Sequence, residues 1–233
     1  LYDALKGVTD QLFPLVRDDD TPSPSGWKPT PDDYDLLANL YNDLLRRCMA
    51  ALPPRFREWF ATHGWDPHPH QLEMLERAEE PATLLIAPTG GGKTLAGFLP
   101  SLIDLENKPK RNDKRPALHT LYISPLKALA VDVHRNLEVP AEEMGLGLRI
   151  ETRTGDTPQS RRQRQRANPP DILLTTPEQL ALFIASDRAS EFFADLKCVI
   201  IDEIHALAPT KRGDMLALAI STLRRWSPNL RLT

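Results

Sequence analysis

The chain has 233 residues, 41% hydrophobic and 26% charged, enough for one large globular domain or a domain with an extension. Its net charge of -3 argues against a general polyanion binder, yet the charge is uneven: residues 1–45 hold nine Asp against Lys6, Arg17 and Lys28, a net of -6, leaving +3 for the remainder. Two cysteines, Cys48 and Cys198, exclude a disulfide framework or a zinc site of the usual spacing. No apolar run reaches the ~18–20 residues of a membrane span, and the first ten residues lack the basic start and apolar core of a secretory leader. A reducing, cytoplasmic setting is therefore expected. Because the chain opens on Leu1, a piece of a longer protein is expected too.

Residues 11–35, with DDD, TPSPSG and KPTPDD, read as a loop or linker. Leu36, Leu37, Leu40, Leu44 and Leu45 recur at helical spacing and predict a short helix over 31–47. Pro53 and Pro54 break the chain before RFREWFATHG, a second short helix that ends at Gly64. We expect a mostly helical or irregular acidic extension over 1–47 and the main domain over 48–233. From residue 83, strand-length apolar runs alternate with helical stretches. TLLIA (83–87) reads as a buried strand and 92–104 as a helix. Strands follow at 118–124, 149–153, 171–176, 196–202 and 230–233, with helices at 126–137, after Pro177, and at 214–225. This alternation predicts an α/β fold: a parallel sheet with helices on both faces, binding ligand at the carboxyl ends of its strands.

Two of those strand ends carry chemistry. Ala87-Pro88-Thr89-Gly90-Gly91-Gly92-Lys93-Thr94 follows a strand and opens a helix. Glycines let the backbone wrap a phosphate group with no Cβ in the way, and the helix start adds unpaired N–H groups and the positive end of its dipole. Lys93 suits the β and γ phosphates of ATP, and the Thr94 hydroxyl suits Mg²⁺. Further on, VIIDEIH sets Asp202 and Glu203 at the end of an apolar strand, on the same sheet edge. Asp202 is expected to hold Mg²⁺, Glu203 to orient and deprotonate the attacking water, and His205 to report the nucleotide state to a neighbouring element. Alone, DEIH could be a polar strand end; paired with GGGKT, it reads as the second half of an ATP site.

These two motifs together resemble the superfamily 2 DExH-box helicases, whose first motor domain has a RecA-like fold. The resemblance extends through the residues between them. SPLKALAVD (124–132) is similar to motif Ia, Thr154-Gly155-Asp156 to the TGD element, and Thr175-Thr176-Pro177-Glu178 to motif Ib. Gln71, in HPHQLEML, stands where that family keeps an adenine-reading glutamine. The wording APTGGGKT, SPLKALAVD, TTPEQL and DEIHAL is similar to the large helicase-related (Lhr) group, and LPPRFREWFATHGWDPHPHQ resembles its bacterial ligase-associated members. The resemblance covers roughly residues 52–233. It implies an ATP-dependent DNA helicase motor moving 3′ to 5′ on single-stranded DNA, or on a duplex with a 3′ tail, in DNA repair. It also implies a Ser-Ala-Thr motif and a second RecA-like domain beyond Thr233, bearing arginines that complete the ATP site. An RNA helicase or remodeller, and a non-hydrolysing ATP-binding domain, are the alternatives.

The resemblance further implies a groove that grips the sugar–phosphate backbone of one strand, lined by Ser124, Pro125, Lys127, Thr154, Gly155, Thr175, Thr176, Pro177 and Glu178. Their hydroxyl, ammonium and helix-start donors suit that role without reading sequence. Arg161, Arg162, Arg164 and Arg166 fit a solvated helix face as well as they fit phosphate contact. NKPKRNDKR (107–115) reads as a solvated loop. His63, His68 and His70 lack a metal-binding frame. Trp59, Phe60 and Trp65 fit a core better than an adenine platform.

Overall fold

The computed structural model describes residues 52–87, 90–107 and 117–233. The extension over 1–47, the helix expected at 31–47, Pro88, Thr89 and most of the 107–115 cluster lie outside the described residues.

Helix α1 (Pro54–Thr62) starts with Pro54 in its first turn, where a missing N–H costs nothing, and buries Phe56, Trp59 and Phe60. Helix α2 (Pro69–Glu76) follows, then α3 (Lys93–Glu106), which leaves the glycine-rich turn. Next come β1 (Thr120–Ile123), α4 (Lys127–Glu143), β2 (Ile150–Arg153), α5 (Gln159–Ala167), β3 (Ile172–Thr175), α6 (Pro177–Ile184) and α7 (Ala189–Phe193). Finally β4 (Cys198–Ile201), α8 (Ile204–Leu207), α9 (Lys211–Trp226) and β5 (Arg231–Leu232) complete the order. The strands form one parallel sheet in the order β2-β3-β1-β4-β5.

Strand side chains alternate between two cores. Tyr122, Ile172, Leu174 and Ile200 face a cluster completed by Phe98 and Leu102 of α3, Leu137 of α4 and the aromatic face of α1. Leu121, Ile123, Leu173 and Val199 face the other cluster, with Phe183, Phe193 and Leu223. The central strands are buried on both faces, as a parallel sheet between helices requires. The parallel sheet with helices on both faces is therefore as expected.

The run at 83–87 departs from expectation. It forms a single bridge, Ala82 to Leu232, with Thr83 N–H donating to the Leu232 carbonyl at 2.9 Å. Leu84 is 71% exposed and Ile86 84% exposed, so among the described residues this run is not buried on both faces. It meets the sheet at β5, which lies next to the last residue of the sequence, Thr233. Helix α4 also runs beyond the expected end at 137, through Pro140, which is itself buried. Helix α2 falls where no helix was expected, because its PHPH start hides a short apolar stripe of Leu72 and Met74. None of the helices among the described residues is long and apolar enough to cross a membrane.

Candidate functional site

At the glycine-rich turn, Gly90 (φ 81°) and Gly92 (φ 70°) adopt the left-handed conformation, which sets up the start of α3 at Lys93. No side chain caps that start, so the first-turn amides keep their donors free of side-chain partners. Gly92 is required twice over. A Cβ there would lie 2.7 Å from Nε2 of Gln71, besides needing the positive φ. Gln71 is buried: its Oε1 accepts from His68 N–H at 2.8 Å, and its Nε2 donates to the Gly92 carbonyl at 3.3 Å. The glutamine expected to read adenine thus holds the turn expected to hold phosphate. Burial pushes the His70 imidazole pKa down, opposed by the Gly91 backbone.

β4 delivers the carboxylates. Asp202 N–H donates to the Ile123 carbonyl at 2.9 Å, which fixes the strand end against β1. Oδ2 of Asp202 accepts from the Tyr122 hydroxyl at 2.5 Å, and Oδ1 accepts from Glu203 N–H at 3.0 Å. Burial, then the Asp202 carboxylate, pushes the Tyr122 phenol far above its ordinary range, so it stays a donor. Glu203 sits at φ 49°, a left-handed conformation unusual for a side chain of this type. Its Oε2 is 3.3 Å from Nε2 of His205.

Two contacts bring these halves together. A Cβ on Gly97 would meet Ile200 Cγ2 at 3.5 Å, so α3 lies directly on β4. Phe98 stacks on Tyr122, with ring centroids 5.5 Å apart. Gly97 is about one turn beyond Lys93 and Thr94, and Ile200 is two residues before Asp202. Helix α3 is therefore packed on the strand that ends just before Asp202. One hydroxyl and one carboxylate suit Mg²⁺, which keeps several waters and takes phosphate oxygens instead of an all-protein cage. Among the described residues no cluster of three or more His, Cys, Asp or Glu could hold a metal alone, His63, His68 and His70 included.

Further along the same edge, Lys127 Nζ lies 2.9 Å and 3.1 Å from the Asp156 carboxylate, and Gly155 leaves room for it, a Cβ there standing 3.7 Å from Lys127 Nζ. Motif Ia and the TGD turn are thus neighbours. The Thr154-Gly155 turn is braced from below by Arg162, whose guanidinium donates to the carbonyls of Thr154 (3.0 Å), Gly155 (2.8 Å) and Thr157 (2.8 Å). The expectation that strand-end hydroxyls face the groove needs correcting. Thr175 is buried and donates to the Arg153 carbonyl at 2.7 Å, and buried Ser124 accepts from Leu126 N–H at 3.4 Å. Thr154 and Thr176 are buried as well. At strand ends the backbone still needs partners, and these short hydroxyls supply them. Of the residues expected to line a groove, Lys127, Gly155 and Glu178 are exposed, as is the neighbouring Asp156, while Pro125 and Pro177 are buried.

Three residues escaped the sequence reading. Tyr122 looked like core and is core except at its hydroxyl. Arg162 was one of four arginines without distinction, yet it serves the loop, while Arg161 and Arg164 pair with Glu151. Arg212 donates through Nε to Glu178 Oε1 at 2.5 Å and through Nη2 to the Pro125 carbonyl at 2.7 Å. No local pattern marks a residue that bridges segments 87 positions apart. Trp59 and Phe60 are buried in the core, and Trp59 Nε1 donates to Glu143 at 2.7 Å. Trp65, half exposed, packs edge-on against Trp59.

The DEAD/DEAH box helicase model matches residues 68–232. The Lhr helicase/probable uracil glycosylase of Mycolicibacterium smegmatis is 47% identical over 178 residues, 72% of this chain and 12% of that protein. The ATP-dependent helicase Lhr-Core of Methanocaldococcus jannaschii is 38% identical over 187 residues, 76% of this chain and 22% of that protein. The solved structure of Mycobacterium smegmatis helicase Lhr bound to ssDNA and AMP-PNP superposes with a TM-score of 0.69 at 41% identity, covering 80% of this chain and 25% of that one. Mss116p bound to ssRNA and AMP-PNP shares the fold, with a TM-score of 0.68 at 18% identity over 91% of this chain and 41% of that one. The chain thus spans between about an eighth and a quarter of the Lhr proteins it matches.

Proposed function

The chain belongs to the DEAD/DEAH box helicase family, and from that premise we propose that it is the nucleotide-binding half of an ATP-driven motor that moves along single-stranded DNA. The observation that supports the reading is the seat of α3 on β4, Gly97 against Ile200, with the glycine-rich turn at the start of α3 and Asp202 at the end of β4. In this reading the amides of Gly90 to Thr94 and the Lys93 ammonium bind the phosphates, with Ala87, Pro88 and Thr89 completing the motif in the sequence. Thr94 and Asp202 hold Mg²⁺, which when bound neutralises charge building up on the phosphates. Tyr122 keeps the Asp202 carboxylate from rotating away: its hydroxyl occupies one lone pair, Glu203 N–H another, and each oxygen keeps one for a metal or its water. Glu203 accepts the proton of the attacking water, and its strained backbone fixes where it does so.

DNA is favoured because the relative of high identity was solved with ssDNA and a nucleotide analogue in place. Movement 3′ to 5′, a repair setting and a partner motor domain that supplies arginines complete the proposal and rest on the Lhr resemblance. Residues 48–233 would then be the first of two motor domains.

Binding of a fluorescent ATP analogue tests the reading. Lys93→Ala should weaken binding at least about tenfold, the scale of a lost charge-assisted contact. Asp202→Asn should abolish only the gain conferred by Mg²⁺. Equal binding by wild type and Lys93→Ala would remove the site. Competition between DNA and RNA oligonucleotides of one sequence decides the polymer, since backbone contacts alone do not sense the 2′-hydroxyl.

A further inference from the structure

Arg212 sits in the first turn of α9, outside every motif that the family resemblance marks. Its two bonds reach both helix starts that flank the groove: Nη2 to the Pro125 carbonyl, just before α4, and Nε to Glu178, in the first turn of α6. The next residue is locked as well. A Cβ on Gly213 would stand 2.5 Å from the Leu207 carbonyl oxygen and 2.9 Å from that of Ala208, so only glycine lets α9 start so close to α8. Thr210 pins that start, its hydroxyl accepting from Arg212 N–H at 3.2 Å and donating to the Leu207 carbonyl at 2.8 Å. Helix α8 itself begins directly after Glu203.

Glu178 fits this picture better than it fits direct contact with DNA. A carboxylate repels phosphate. Burial pushes the Glu178 carboxyl up, but hydrogen bonds from Arg212, its own backbone and Thr176 outweigh this and hold it below its ordinary value, hence ionised.

We propose that Arg212 is a positioning residue: with Glu178 as its anchor and Gly213 as its spacer, it holds the starts of α4 and α6 at the separation a nucleic-acid backbone needs and ties them to the segment that follows Glu203. The inference rests on the nucleic-acid groove proposed above. It gives Glu178 an unexpected sign. By charge alone, Glu178→Gln should strengthen binding to a polyanion; by loss of the tie, it should weaken it.

The test is fluorescence anisotropy of a labelled oligo-dT with the full chain, over a series of salt concentrations, beside thermal melting and fluorescent-ATP binding. Arg212→Gln and Glu178→Gln should each weaken DNA binding about tenfold, with ATP affinity held within about twofold and the salt slope unchanged. Gly213→Ala, which alters no charge, should weaken DNA binding in the same direction. A slope reduced by about one in Arg212→Gln would make Arg212 a direct phosphate contact, and tighter binding by Glu178→Gln would make Glu178 a mere repulsive charge; either overturns the proposal. Unchanged binding in folded Arg212→Gln overturns it also. If wild type itself binds no oligo-dT, the groove reading fails first, and a melting scan that still shows wild type folded tells that failure apart.

Discussion

Glu203 stands in a left-handed backbone conformation at the tip of β4, where most side chains cost about 1–2 kcal/mol. Asn tolerates that conformation. Glu203→Asn should therefore be as stable as wild type, within about 0.5 kcal/mol or better, in a urea titration, while the ATP hydrolysis proposed for this site should be lost. A large loss of stability would mean that the glutamate is structural. Gly92 makes the opposite case. Gly92→Ala meets both the positive φ and the Gln71 amide, and should lower the melting temperature by several degrees, roughly 2–4 °C per kcal/mol for a domain of this size. At this scale the sequence was informative where type and spacing carry the chemistry, as in GGGKT and DEIH. It was silent on Tyr122 and Arg212, whose partners lie 80 and 87 positions away.

Glu151 shows how an element is fastened. Its carboxylate, on β2, receives Arg164 at 2.9 Å, Gln165 at 3.0 Å and Arg149 at 3.2 Å, which holds α5 to the sheet edge. Burial pushes this carboxyl up, but Gln165 and the arginines prevail and hold it below its ordinary 4.5. A depressed carboxylate stabilises the fold above its unfolded pKa and loses that contribution as pH falls through the lower folded value. Glu151→Gln should thus cost about 1–2 kcal/mol at pH 7, discounted because the arginines are part exposed. The difference from wild type should shrink as pH drops below about 4.5; a gap that does not change with pH would contradict the linkage.

Across the molecule, the order of the five sheet strands was legible because their apolar runs met turn signals, and a parallel sheet followed from the alternation; α2 and the exposed run at 83–87 were not. Which hydroxyls face the groove was not legible, since Ser124 and Thr175 satisfy the backbone before any ligand. The sheet gives the account its central claim: one edge holds the phosphate turn, the acidic strand end and the groove. A crystal structure of the chain with Mg²⁺ and a non-hydrolysable ATP analogue tests this most directly. Triphosphate is expected on the amides of residues 90–94, with the metal on the Thr94 hydroxyl and joined to Asp202 directly or through one water. A nucleotide bound elsewhere, or a metal beyond the reach of Asp202, would contradict it.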